Sequence, residues 1–200
     1  MAFWNAPKRV TNHADAAVES AFRCQRVVKA LRQEGLPFGT RIGVHTARVF
    51  VGNFGAENRM NYTLAGDGVN LASRLEGANR FYGTQILISE STAVQLSDGW
   101  LLRRLDTVSV KGKDEATAIY EVVSDVHETT PALVDLVQVY ERGLKAYQAC
   151  EFHQAVELFQ EVLKIDPEDG PAQVLLSRCA WYLRNPPEQG WNGVHPLSSK

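Results

Sequence analysis

The sequence predicts a layered α/β or α+β domain over residues 1–124, followed by a segment that is helical throughout. Three observations carry this. Helical and strand patterns alternate from Asn12 to Val123. The composition changes near Ser124, after which only helical spacing recurs. Finally, 44% apolar residues with 22% charged residues are enough for a buried core and ordinary for a folded chain.

In order along the chain, Met1 to Pro7 is a short apolar stretch ended by proline. Residues 12–34 read as an amphipathic helix, with Ala14, Ala17, Val18, Ala21, Phe22, Val28 and Leu31 at helical spacing and Gly35 and Pro37 as the stop. Thr40 to Thr46 alternates as a strand, and Val49 to Val51 continues extended. Gly52 to Arg59, with two glycines and two asparagines, reads as a turn, and Tyr62 to Ala65 as a short strand. Asp67 is the expected N-cap of a helix running to about Asn79, with Gly83 beyond it. Then follow a strand (Gln85 to Ile88), a helix (Glu90 to Leu96), a strand (Leu101 to Val110), a turn at Lys111–Asp114 and a returning strand (Ala116 to Val123).

Residues 125–132 are polar, are broken by Pro131, and read as a linker. From residue 133 to 185, Gly143, Ala155, Phe159 and Pro167 fall at the spacing of a tetratricopeptide repeat: small residues where helices cross, an aromatic in the groove, and a terminal proline. One repeat and one further helix cannot bury both faces, so this piece is expected to lean on the first domain or on a protein partner. Residues 186–200 form a Pro- and Gly-rich tail, expected to dock through Trp191.

Charge and composition exclude several classes. Lys plus Arg number 21 and Asp plus Glu 23, a net charge of −2, which argues against a nucleic-acid partner. No apolar run reaches the length of a membrane span, and the N-terminus has no signal-peptide pattern. Cys24, Cys150 and Cys179 are odd in number and far apart. They suit a reducing, cytoplasmic setting and exclude a disulfide framework or a CxxC metal site. A membrane tether upstream of Met1 in a longer protein stays open.

The chemistry is concentrated between Arg41 and Gly77. Asn70 and Arg74 stand four apart on a helix and share one face. An amide there can orient a sugar, and a guanidinium fork can hold a phosphoryl group as charge shifts. Gly66-Asp67-Gly68 permits close backbone approach, and Lys111 beside Gly112 is a further phosphate candidate. Spacing alone favours the plainer reading: a local hydrogen-bonder, a solvated arginine and a solubilising turn lysine. No P-loop pattern is present.

Resemblance shifts that balance. The run Gly66-Asp67-Gly68-Val69-Asn70-Leu71-Ala72-Ser73-Arg74-Leu75-Glu76 strongly resembles the catalytic domain of class III adenylate/guanylate cyclases. So do Met1-Ala2-Phe3-Trp4-Asn5-Ala6-Pro7, Arg41-Ile42-Gly43-Val44, Val51-Gly52-Asn53, Tyr82-Gly83-Thr84, Ile88-Ser89-Glu90 and Val110-Lys111-Gly112-Lys113, in the family's order across residues 1–123. The resemblance implies an α+β fold, an incomplete ferredoxin-like palm domain carrying a C-terminal helical repeat. It implies a reaction turning ATP into cyclic AMP and pyrophosphate, in a head-to-tail dimer that uses Mg or Mn. Asn70 would position the ribose, Arg74 would steady the phosphate in the transition state, Lys111 would hold the triphosphate, and Thr63 would meet the base, with adenine favoured.

The departures matter. Thr46-Ala47 stands where the family has a glycine second, which is expected to stiffen that bend. The family's two metal-binding aspartates and its adenine-selecting lysine lie upstream of the segment resembling MAFWNAP. Asp15, Glu19 and Asp67 do not match them, so no metal ligand is assigned in this chain. The expectation is a C-terminal piece of a longer enzyme or a truncated product, inactive alone, with exposed strand edges and an exposed apolar face on the 12–34 helix. It would complement a partner that holds the metals. The alternative is a non-catalytic cyclase-like scaffold with a helical-repeat interaction module.

Overall fold

A computed structural model describes residues 1–56, 58–109, 116–188 and 190–196. Helix α1 spans His13–Gln33, and strand β1 spans Ile42–Val44. Strands β2 (Phe50–Ala56) and β3 (Arg59–Ala65) form a hairpin that leads directly into α2 (Asp67–Tyr82). Then come β4 (Ile86–Ser89), a single turn α3 (Glu90–Ala93), β5 (Trp100–Ser109) and β6 (Ala116–Asp125). Three helices follow, α4 (Pro131–Gln148), α5 (Phe152–Ile165) and α6 (Gly170–Tyr182), and then a two-residue strand β7 (His195–Pro196).

The main sheet has the order β1-β4-β6-β5-β7, and β2–β3 stands apart as a two-stranded ribbon. β1 runs parallel to β4, β6 is antiparallel to both β4 and β5, and β7 is parallel to β5. Successive side chains of a strand point to opposite faces, and β4 divides the core accordingly. Ile86 and Ile88 pack with Val18 and Ala21 of α1, beside Phe22 and Trp100. Leu87 packs on the other face with Leu71, Leu75, Ala78 and Tyr82 of α2, in a cluster that continues through Leu105, Ile119 and Tyr140 into α4, α5 and α6. The helical segment therefore shares one continuous core with the sheet. α1 buries only its first half fully, and Val27 and Phe38 are exposed. β1 is the outer strand of the sheet.

The helical segment begins and turns where its sequence dictates. Thr130 caps α4, accepting the Leu133 N–H ahead of Pro131. Asp169 caps α6, accepting the Ala172 N–H at 2.8 Å. Gly143 of α4 faces the Phe159 ring of α5, where a β-carbon would come within 2.9 Å of ring atoms. After α6 the chain folds back. Trp191 meets Tyr147 edge-on at 5.2 Å and lies 4.8 Å from Tyr182, so the tail does dock through its tryptophan, and β7 then joins β5 at Val108 and Ser109. Among the described residues no helix is long and apolar enough to cross a membrane.

The structure differs from the sequence-based expectation in several places, among them the length of β1, which is only Ile42–Val44, and the linker, into which β6 reaches at Asp125 and α4 at Pro131. Gly52–Arg59 is not a turn: β2 continues to Ala56 and β3 starts at Arg59, with Phe50 opposite Ala65 and Ala56 opposite Arg59. Glycine and asparagine lower strand propensity, but pairing along seven residues overrides it. Asp67 is the first helical residue, not the N-cap. Gly66 occupies the cap position and no side-chain cap bond forms. α2 runs three residues past Asn79 because Tyr82 is anchored in the core. α3 stops at Ala93 rather than Leu96. The turn containing Lys111 lies outside the described residues.

Candidate functional site

The site is assembled on α2, whose position is set by β1 beneath it. Gly43 lies so close to α2 that a β-carbon would sit 2.3 Å from the Ala72 carbonyl oxygen, so only glycine fits there. Asn79, fully buried, donates from Nδ2 to the Ile42 carbonyl at 3.1 Å and to the Leu75 carbonyl at 3.0 Å, and accepts the Thr84 hydroxyl at 2.9 Å. These bonds stitch the helix to the start of β1 and to the turn that leads into β4.

At the other end of α2 the chain leaves β3 through Gly66, whose φ of 139° is a conformation for glycine. Ala47, the departure noted above, sits against Gly68: a β-carbon on Gly68 would approach the Ala47 methyl to 2.8 Å. Leu71 and Leu75 face the core. Asn70 is exposed and Arg74, one turn later, is partly exposed, so the helix presents the two together on its outer side. Thr63 lies on β3 opposite Gly52, partly buried, three residues before the helix cap. Asn70, Arg74 and Thr63 thus belong to one continuous hairpin-to-helix unit, while Lys111 falls outside the described residues.

Two of the three carboxylates set aside as metal ligands, Asp15 and Glu19, are engaged elsewhere, and the third, Asp67, opens α2. Asp15 accepts from the Ser97 amide and hydroxyl and from Trp100 Nε1. Glu19 pairs with Arg23 along α1. Glu76 pairs with Arg41 at 3.4 Å. Among the described residues no group of three or more His, Cys, Asp or Glu side chains converges as a metal site.

Two features escaped the sequence reading. At the ends of β1 and β4, His45 Nδ1 lies 2.7 Å from the Ser89 hydroxyl, within a cluster that includes Ser91, Thr92 and Thr46. A β-carbon on Gly68 would sit 3.4 Å from His45 Cδ2, so this cluster underlies the start of α2. The second is a pair of buried ionic contacts between β5 and α6. The charges Arg103, Arg104 and Asp106 among the leucines and valines of Leu101–Val110 were the available signal.

Residues 1–124 match the model of the adenylate and guanylate cyclase catalytic domain. The chain belongs to this family. The chain is 45% identical over 130 residues to adenylate cyclase 1 of Rhizobium meliloti, an alignment covering 62% of this chain and 20% of that protein. The terminal-differentiation-specific adenylate cyclase of Dictyostelium discoideum is 35% identical over 170 residues, covering 82% of this chain and 8% of its own length. That alignment is longer than the cyclase domain, so it runs into the helical segment. The fold is the α+β palm of the solved adenylyl cyclase CyaB of P. aeruginosa, with a TM-score of 0.54, 33% identity, and coverage of 64% of this chain and 68% of that one. The chain spans a small part of these curated relatives, from a fifth downward.

Proposed function

We propose that this chain supplies one half of an adenylate cyclase site. The observation that carries the reading is the placement of Asn70 and Arg74 on the outer side of α2, directly after the hairpin bearing Thr63. In the reaction the ribose 3′-oxygen bonds to the α-phosphorus, the bond from that phosphorus to the β-phosphate oxygen breaks, and pyrophosphate leaves while the hydroxyl loses its proton. Asn70 holds the ribose so that the 3′-oxygen faces the phosphorus. Arg74 donates its fork to phosphate oxygens as negative charge builds. Thr63 meets the adenine, and Lys111 binds the triphosphate.

Among the described residues no carboxylate set is gathered for a metal; Mg or Mn, which would offset the triphosphate charge, would be held by carboxylates of a head-to-tail partner. The apolar hairpin supports such a partner. Phe50, Phe54, Met60 and Tyr62 are exposed on the ribbon that leads into the site, a patch that association would cover.

The test is complementation. This chain is mixed with a cyclase chain that keeps its metal carboxylates but has its own Asn–Arg pair replaced by alanine, and cyclic AMP is measured. Product is expected only in the mixture, and Arg74→Ala should lower the rate about 10²-fold. An unchanged rate would return Arg74 to a surface role. Robust turnover of Mn-ATP by this chain alone would overturn the half-site reading.

For the helical segment, we read α4 and α5 as a tetratricopeptide-like pair with α6 as an added helix and a protein partner as its ligand. The close seat of Gly143 on Phe159 supports this. Three free cysteines, two of them exposed, support a reducing, cytoplasmic setting.

A further inference from the structure

Two buried charges on β5 find their counter-charges at α6, and the two ion pairs run in opposite directions. Arg103 of β5, 4% exposed, donates from Nη1 to Asp169 Oδ2 at 2.5 Å and from Nη2 to Glu121 Oε2 at 2.5 Å. Arg178 of α6 donates from Nη1 to Asp106 Oδ2 at 2.5 Å, and Asp106 is fully buried on β5. The same Asp106 oxygen accepts the Tyr82 hydroxyl at 2.6 Å, and Arg178 Nη2 donates to that hydroxyl at 3.3 Å. Tyr82 is the last residue of α2. Burial, reinforced by Asp106, pushes the Tyr82 hydroxyl well above its ordinary pKa, so it stays a donor at any working pH.

Contact with the end of α2 does not depend on charge alone. A β-carbon on Gly170, the first residue of α6, would fall 2.3 Å from the Tyr82 carbonyl oxygen. The Arg178 guanidinium also lies over the Phe81 ring, 5.2 Å from its centre. Tyr82 stands eight residues beyond Arg74, about 12 Å along a helix that rises about 1.5 Å per residue. A helix seated on β1 where Gly43 meets Ala72 and Glu76, and tied at its last turn through Asn79 and Tyr82, moves as one body.

We propose that Arg178 is a positioning residue for α2: acting through Asp106 and Tyr82, it fixes the helix that presents Asn70 and Arg74, so the pose of that pair depends on the helical segment. For catalysis this rests on the nucleotide reading above; the mechanical coupling does not.

The experiment uses the full chain and amide hydrogen exchange read by mass spectrometry, alongside the rate of cyclic AMP formation in the mixture with the metal-bearing partner. Arg178→Met should raise exchange about tenfold or more across residues 71–82, well away from α6 itself, while leaving α1 unchanged. Arg178→Lys, which keeps the charge facing Asp106, should recover most of the protection. The rate of the mixture should fall in the first variant and recover in the second. If Arg178→Met loses its secondary structure, Gly170→Ala, which keeps every charge and pushes α6 off the Tyr82 carbonyl, takes its place with the same expected pattern. Faster exchange confined to residues 170–182, with α2 unchanged, would overturn the proposal. If the mixture of the unmodified chain with the metal-bearing partner forms no cyclic AMP, the nucleotide reading fails, and the exchange pattern alone still decides the coupling.

Discussion

The hairpin-to-α2 side of the molecule and the β5–α6 junction are built on opposite rules. On the first, large apolar side chains stay in solvent, Phe50 at 78% and Met60 at 61% exposure, and Asn70 is turned outward. At the second, Leu105, Asp106, Tyr140 and Leu175 are all fully buried, and the buried charges are matched by ion pairs at 2.5 Å. Tyr140 donates its hydroxyl to the Leu105 carbonyl, and Glu141 accepts the Arg104 N–H, so even the backbone of β5 is served from α4. An unmatched surface suits a site that waits for a ligand and a partner. A buried one whose charges are paired suits a mount, even though Arg178 Nε and Arg104 Nε find no hydrogen-bond partner among the described residues. The contrast teaches that the helical segment belongs energetically to the cyclase domain, whatever else it binds.

Removing residues 133–200 is the harshest way to break this comparison. Asp106 would keep its burial under the sheet residues or be flooded, in either case without Arg178, and Leu105, Val108 and Tyr82 would lose their cover. The remainder should precipitate or run as a soluble aggregate on size exclusion; a soluble, monodisperse 1–132 chain with native circular dichroism would show the two regions to be separable.

A finer cut compares two arginines. Arg103→Met leaves Asp169 buried without its cation and should cost about 3–5 kcal/mol in urea denaturation. Arg74→Ala, on the open side, should stay within about 0.5 kcal/mol. Equal losses would erase the distinction between mount and site. The smallest effect concerns thiols. Burial pushes Cys179 of α6 up to about 12, whereas Cys24 and Cys150 are exposed. At pH 8 two thiols should react promptly with a disulfide reagent and the third only on unfolding. Prompt reaction of all three would mean that α6 opens readily.

Much of the open side was legible in the sequence. Asn70 and Arg74 share a face because four residues make about one helical turn, and no packing is needed to see it. The cyclase family could be read from local runs such as Gly66–Glu76. The hairpin was misread because Gly52, Asn53 and Gly55 look like turn residues until a partner strand pairs with them. The mount was hidden for a different reason. Arg103 and Asp169 are 66 residues apart, and Arg178 and Asp106 are 72 apart. Long-range charge pairing leaves no periodic trace. Its one local sign, charged residues within an apolar strand, reads equally well as a solvated edge.

The tail has a consequence for topology. The helical excursion departs from the sheet at the end of β6 and comes back to it through β7 on β5, the neighbouring strand. Trp191, seated among Tyr147, Phe152 and Tyr182, works as the latch of this loop. The three helices are thereby held as a closed buckle, fastened to adjacent strands at both of its ends. A single proteolytic nick between Asn185 and Glu188 would unfasten one end without removing an atom from either ion pair, and the buckle would then hang from α4 and the β5 contacts alone.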